Sequence, residues 1–243
     1  MTLGFFFFDP VYMIVMIIGM ALSGLAALLV KTTFAKYSRH TTRSGMTGSD
    51  VARAILRDND IYDVKVEQVA GNLSDHYDPT SKTLRLSESV YSSRSMAAFG
   101  VAAHEVGHAI QHAKAYAPLK LRSAWVPVAN LGSGLSIVVL IAAMFLGGFH
   151  SEGGLGPIVG TLGLCLFGCT AVFSLITLPV EFDASKRALI TLEQGNYATA
   201  DEIAGARKVL NAAALTYVAA FVTSLLMLLY WAYRLGLFGR NNN

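Results

Sequence analysis

The chain of 243 residues is long enough for one domain or for a small membrane bundle with a soluble insert, and its composition favours the bundle: 53% apolar, 14% charged, formal net charge +3. Ordinary globular chains carry about 25% charged residues. With no basic stripe interleaved with aromatics, the sequence argues against nucleic-acid binding, and its charges gather in two stretches, as in a chain that passes between lipid and water.

Four stretches, about 11–30, 126–149, 155–178 and 212–233, reach the roughly 20 apolar residues that cross a bilayer as helix. The first follows Phe5-Phe6-Phe7-Phe8-Asp9-Pro10 rather than a basic segment, so it reads as an uncleaved anchor and not a secretory signal. In the loop 31–125, Ser49-Asp50 can cap a helix that runs to about Asp58. Residues 64–69 alternate like a strand, Asp75-His76-Tyr77-Asp78-Pro79 reads as a turn, and Thr83-Leu84-Arg85-Leu86-Ser87 as a second short strand. Helical spacing returns from about Arg94 to Ala113. This is a small α+β domain. His150-Ser151-Glu152-Gly153-Gly154 joins the second and third spans as a tight hairpin. Cys165 and Cys169, four apart in an apolar run, read as free thiols because that helical spacing makes a poor disulfide. The fourth span emerges from an amphipathic stretch, 201–210, and ends in Tyr230, Trp231 and Tyr233, aromatics suited to the membrane interface.

Lysine and arginine orient the spans. Residues 31–125 hold thirteen of them and residues 179–211 hold four, with Arg234 and Arg240 after the last span. Four spans put both charged segments on one side, and the positive-inside rule makes that side cytoplasmic.

The chemistry lies in His104-Glu105-Val106-Gly107-His108. Two histidines four apart share one helix face, about 6 Å apart along the axis, and can fill two corners of a tetrahedral zinc site. Glu105 is turned about 100° from His104, where it can take a proton from a water attacking a carbonyl and hand it to the leaving amine. Val101, Ala102, Ala103, Val106 and Ala109 make the surroundings apolar, and a buried glutamate there is costly unless compensated. The plain alternative is a helix with two hydrogen-bonded histidines and a surface glutamate. For a third ligand, His112 is one candidate, but the longer metzincin pattern needs glycine at 111 and histidine at 114, where this chain has Gln111 and Lys114. The better candidate is Glu181, beside Pro179 at the end of the third span and on the same membrane side as His104. A carboxylate with two histidines is the thermolysin-like set. Its competing role is an interfacial partner for Lys186 or Arg187.

Phe6-Phe7-Phe8-Asp9-Pro10, His76-Tyr77-Asp78-Pro79, the run 84–91, residues 104–112 and the run 178–185 together resemble the YugP-like neutral zinc metallopeptidases, bacterial membrane proteases, over nearly the whole chain. More distantly the architecture is similar to the HtpX and CAAX-prenyl proteases. The resemblance implies a mainly α integral membrane protein in which one unit, 1–243, combines four transmembrane helices with a zincin-like (gluzincin) catalytic insert formed by 31–125 and 179–211. It implies Zn2+ held by His104, His108 and Glu181, Glu105 as general base, and an extended strand, Thr83–Ser87, pairing with substrate backbone. Ser185 stands where an aspartate usually orients a ligand histidine, so that partner has to come from elsewhere, with Asp183 a candidate. Tyr77, His76 and Arg187 have the chemistry of an oxyanion stabiliser. The expected protein is a multi-pass enzyme of the bacterial inner membrane, cleaving peptides or membrane proteins at the cytoplasmic face. The competing class is a non-catalytic metal-binding scaffold or transporter, which the lack of charge within the spans disfavours.

Overall fold

The computed structural model describes residues 9–149 and 154–237; Phe5 to Phe8, the hairpin at 150–153 and Arg240 lie outside them. In chain order the elements are α1 (Pro10–Tyr37), α2 (Gly48–Asp58), β1 (Lys65–Val69), β2 (His76–Asp78), β3 (Thr83–Ser87), α3 (Glu88–Tyr91), α4 (Met96–Ala113), α5 (Ala117–Phe145), α6 (Leu155–Gln194) and α7 (Ala200–Arg234). The protein is mainly helical with one small sheet, and α1, α5, α6 and α7 are long and apolar enough to cross a membrane.

Two compact units divide these elements. One comprises, within the described residues, 9–25, 121–149, 154–177 and 217–237. Its helices turn much of their apolar surface outward, and its small interior cluster is Leu140, Ala143, Phe149, Tyr230 and Trp231. Asp9 caps α1 by accepting from the Val11 N–H at 2.9 Å, with Pro10 in the first helical position, where its missing N–H costs nothing. The same carboxylate accepts from Tyr230 Oη at 3.1 Å and Arg234 Nη1 at 2.7 Å, tying the start of α1 to the end of α7.

The other unit comprises 26–120 and 178–216. Thr47, not Ser49, is the N-cap of α2: Asp50 N–H donates to Thr47 Oγ1 at 3.2 Å while Thr47 N–H donates to the Asp50 carboxylate at 2.9 Å, a capping box two residues earlier than the serine suggests. The segment read as a turn at 75–79 contains a strand. Three polar residues, His76–Asp78, pair antiparallel with β3, while β1 pairs parallel with it, giving the order β1-β3-β2. Thr83–Ser87 is therefore the central strand: β1 pairs with its whole length and β2 with Thr83–Arg85, so its backbone is not an open edge for a substrate over those three residues, and the free edges belong to β1 and β2. Leu84 and Leu86 of β3 are fully buried against Val51 and Ile55 of α2 and Phe99 and Val106 of α4. Nor does α6 end where Pro179 ends the apolar run. The helix continues to Gln194, because proline removes one intrahelical donor and packing supplies the rest.

Candidate metal centre

Helix α4 carries the two histidines in the interior of the second unit. It starts at Ser95, whose Oγ accepts from the Ala98 N–H at 3.2 Å, and its small residues bring neighbours close. At Gly107 a Cβ would lie 2.5 Å from the Ala184 carbonyl oxygen of α6. Only hydrogen fits there, and the backbones of the two helices touch between His104 and His108 on one side and Glu181 and Ser185 on the other.

That approach brings three donors together. Glu181 Oε2 lies 3.2 Å from His104 Nε2 and 3.6 Å from His108 Nε2, and one ligand atom from each of the three residues falls within 4.8 Å of the others. Tetrahedral coordination with bonds of about 2.0–2.2 Å spaces its ligand atoms about 3.3–3.6 Å apart. Both Glu181–histidine separations lie at or close to that range, and the donor set of two imidazoles and a carboxylate fits zinc. Glu181 is 2% exposed, His108 8%, and 13% of the His104 side chain is accessible. Burial opposes charge at Glu181, yet the His104 hydrogen bond and the neighbouring His108 outweigh it and hold the carboxyl well below its ordinary range. Burial likewise works against a charged His108, but Glu181 and the nearby charge of Glu105 raise its pKa. The pocket is a buried negative site that attracts positive charge.

Both ring Nδ1 atoms have partners. His104 Nδ1 lies 3.1 Å from Ser185 Oγ, so the serine occupies the orienting position that its missing carboxylate seemed to vacate. His108 Nδ1 lies 3.0 Å from Gln111 Oε1, and Asp183 reaches that glutamine rather than either histidine. The sequence treats Gln111 only as a departure from a glycine. Its place three residues after His108, on the same helix face, was the signal available.

Glu105 is 8% exposed, and among the described residues its side chain has no hydrogen bond or ion pair. Its charge is felt by Asp75, whose carboxylate accepts from Ser87 N–H at 2.7 Å. The remaining candidates are engaged elsewhere. His112 meets Tyr77 Oη through Nδ1 at 2.8 Å and is not among the converging donors. Burial pushes the Tyr77 hydroxyl up to about 12, so it is neutral at physiological pH. His76 is bound to the Ser74 carbonyl at 2.8 Å, and Arg187 to Asp183 at 2.5 Å. Beside Ser185 opens a groove of about 350 Å³, lined by Phe182, Lys186, Leu189, Arg207 and Asn211.

Residues 12–236 match the model of a family described as "Putative neutral zinc metallopeptidase". The chain belongs to this neutral zinc metallopeptidase family, with zinc as its metal. Among curated proteins it is similar to "Putative membrane protease YugP" of Bacillus subtilis (strain 168), 46% identical over 227 residues, which cover 93% of this chain and 97% of that one. No solved structure matches the chain.

Proposed function

We propose that the protein is a zinc-dependent membrane endopeptidase of the gluzincin type, with His104, His108 and Glu181 holding the metal and Glu105 as general base. One observation carries this reading: three donors from two helices lie within 4.8 Å of one another, beside the buried carboxylate of Glu105, which has no hydrogen bond or ion pair among the described residues. When bound, zinc supplies Lewis acidity, polarising a carbonyl and bringing the pKa of water toward neutrality. The protein's own residues do the rest. Glu105 accepts the proton of the attacking water and returns it to the leaving nitrogen. His104 and His108 are held by Ser185 and Gln111. The near-complete burial of Glu181 and His108 keeps the dielectric low, which strengthens each charge interaction.

The variant pair Glu105→Gln and Glu181→Ala tests the assignment. Glu105→Gln is expected to keep stoichiometric zinc and lose at least about 100-fold in peptide hydrolysis. Glu181→Ala is expected to lose zinc by more than the roughly 10–100-fold typical of a ligand's supporting partners. Near-wild-type hydrolysis by Glu105→Gln removes the base; unchanged zinc in Glu181→Ala removes the ligand.

The centre faces the cytoplasm of a bacterial inner membrane in this reading, supported by the seventeen of nineteen basic residues in 31–125 and 179–211. Cysteines placed at Asp63 and Asn196, both exposed, should resist a membrane-impermeant maleimide in intact cells and react after permeabilisation. Labelling of both in intact cells reverses the orientation, and labelling of one alone breaks the four-span count.

A further inference from the structure

Gln111 is completely buried, and a buried amide is costly unless its hydrogen bonds are made. Its Nε2 donates to the Val180 carbonyl at 2.8 Å and to Asp183 Oδ2 at 2.8 Å. Both of those partners can only accept, so the amide has one orientation: turned over, its oxygen would face two oxygens. Oε1 therefore points at His108 Nδ1, 3.0 Å away, and can only accept there. That puts the proton of neutral His108 on Nδ1 and leaves the Nε2 lone pair free on the Glu181 side. Asp183 is itself held by Arg187, Nε at 2.5 Å and Nη2 at 3.4 Å, and the guanidinium lies over the Tyr116 ring at 5.6 Å. Glu181 sits in sequence between the two acceptors, Val180 and Asp183.

We propose that Gln111 is a positioning residue for two metal ligands at once. It holds His108 in the tautomer that presents Nε2, and it ties the turn of α6 bearing Glu181 to the histidine helix. This rests on the zinc site proposed above. His104 has no equivalent lock, since the Ser185 hydroxyl can rotate and either donate or accept.

The test uses full-length protein in detergent, with zinc affinity measured by competition with a chromophoric chelator. The visible spectrum of the cobalt-substituted protein reports ligand geometry, and apo thermal unfolding reports the fold. Gln111→Met keeps the length and loses every hydrogen bond. It should bind zinc 10–100-fold more weakly, with an altered cobalt spectrum and unchanged helix content. Gln111→Glu sets a carboxylate against the Val180 carbonyl and Asp183 and should also weaken binding. Adding Asp183→Asn restores a donor opposite the new carboxylate and should recover part of the loss, which a merely space-filling role would not produce. Wild-type affinity and spectrum in Gln111→Met overturn the proposal, as does a double variant no better than Gln111→Glu. If Gln111→Met does not fold, the Glu and swap variants decide. A wild-type protein that binds no zinc is a separate failure, that of the metal centre itself.

Discussion

Helix α1 turns Ile14, Ile17, Met20 and Leu25 outward, each 56–66% exposed, whereas α4 in the other unit buries Ala98, Phe99, Ala102, Val106 and Ile110 at 2% or less. Both are apolar helices, but their surroundings differ. In lipid an outward isoleucine loses nothing, because the tails are as apolar as the side chain. In α4 each apolar contact is supplied by protein at crystal-like density. The helix that carries the candidate metal centre therefore has neighbours at fixed positions, and its polar groups can be satisfied one by one.

The contrast should break most sharply at Gly107→Ala. The new methyl group meets a backbone oxygen at 2.5 Å, and α4 and α6 must separate. Zinc affinity should fall by more than about 100-fold, since the movement displaces Glu181 from both histidines together and exceeds the loss of one supporting partner. Equilibrium dialysis against buffered zinc measures it, and an unchanged affinity would show that the helices part without cost.

Packing density supplies the next comparison. Phe99→Ala, at a site 1% exposed, should cost about 3–5 kcal/mol, whereas Ile17→Ala, facing outward from α1, should cost under about 1 kcal/mol. Denaturant unfolding of both in the same detergent reads the difference; equal losses would mean that α1 is packed by something as firm as a protein core.

The smallest effect concerns Asp75. Burial raises its carboxyl above the ordinary 3.8, Ser87 hydrogen bonds pull it back, and the charge of Glu105 raises it again. A raised carboxyl binds its proton more tightly in the folded state. Its contribution to stability is therefore complete below about 3.8 and lost as pH rises through the higher folded value. Asp75→Asn should remove that slope, so the stability difference between wild type and variant should shift against wild type with rising pH across the acid range. Parallel slopes in thermal unfolding between pH 4 and 7 would show that Asp75 titrates normally.

Much of this molecule was legible from local pattern. Four apolar runs of bilayer length, and two histidines at helical spacing with a glutamate between them, depend on neighbours within a turn or on composition over about 20 residues. The polar strand β2 was not legible, because His76-Tyr77-Asp78 carries no alternating apolar signal and is strand only because β3 accepts it. The central place of β3 follows from that same pairing.

The sequence by itself determined that this is a membrane chain with a two-histidine helix, because helix period and hydrophobic length are properties of contiguous residues. Tertiary structure decided what meets that helix. Glu181, 77 residues from His104, comes within ligand distance because Gly107 has no side chain to hold α6 away. Gln111 acquires its orientation from Val180 and Asp183, two acceptors that are distant in the chain. Contacts of this kind depend on how closely two backbones approach, and no spacing within either helix encodes that distance.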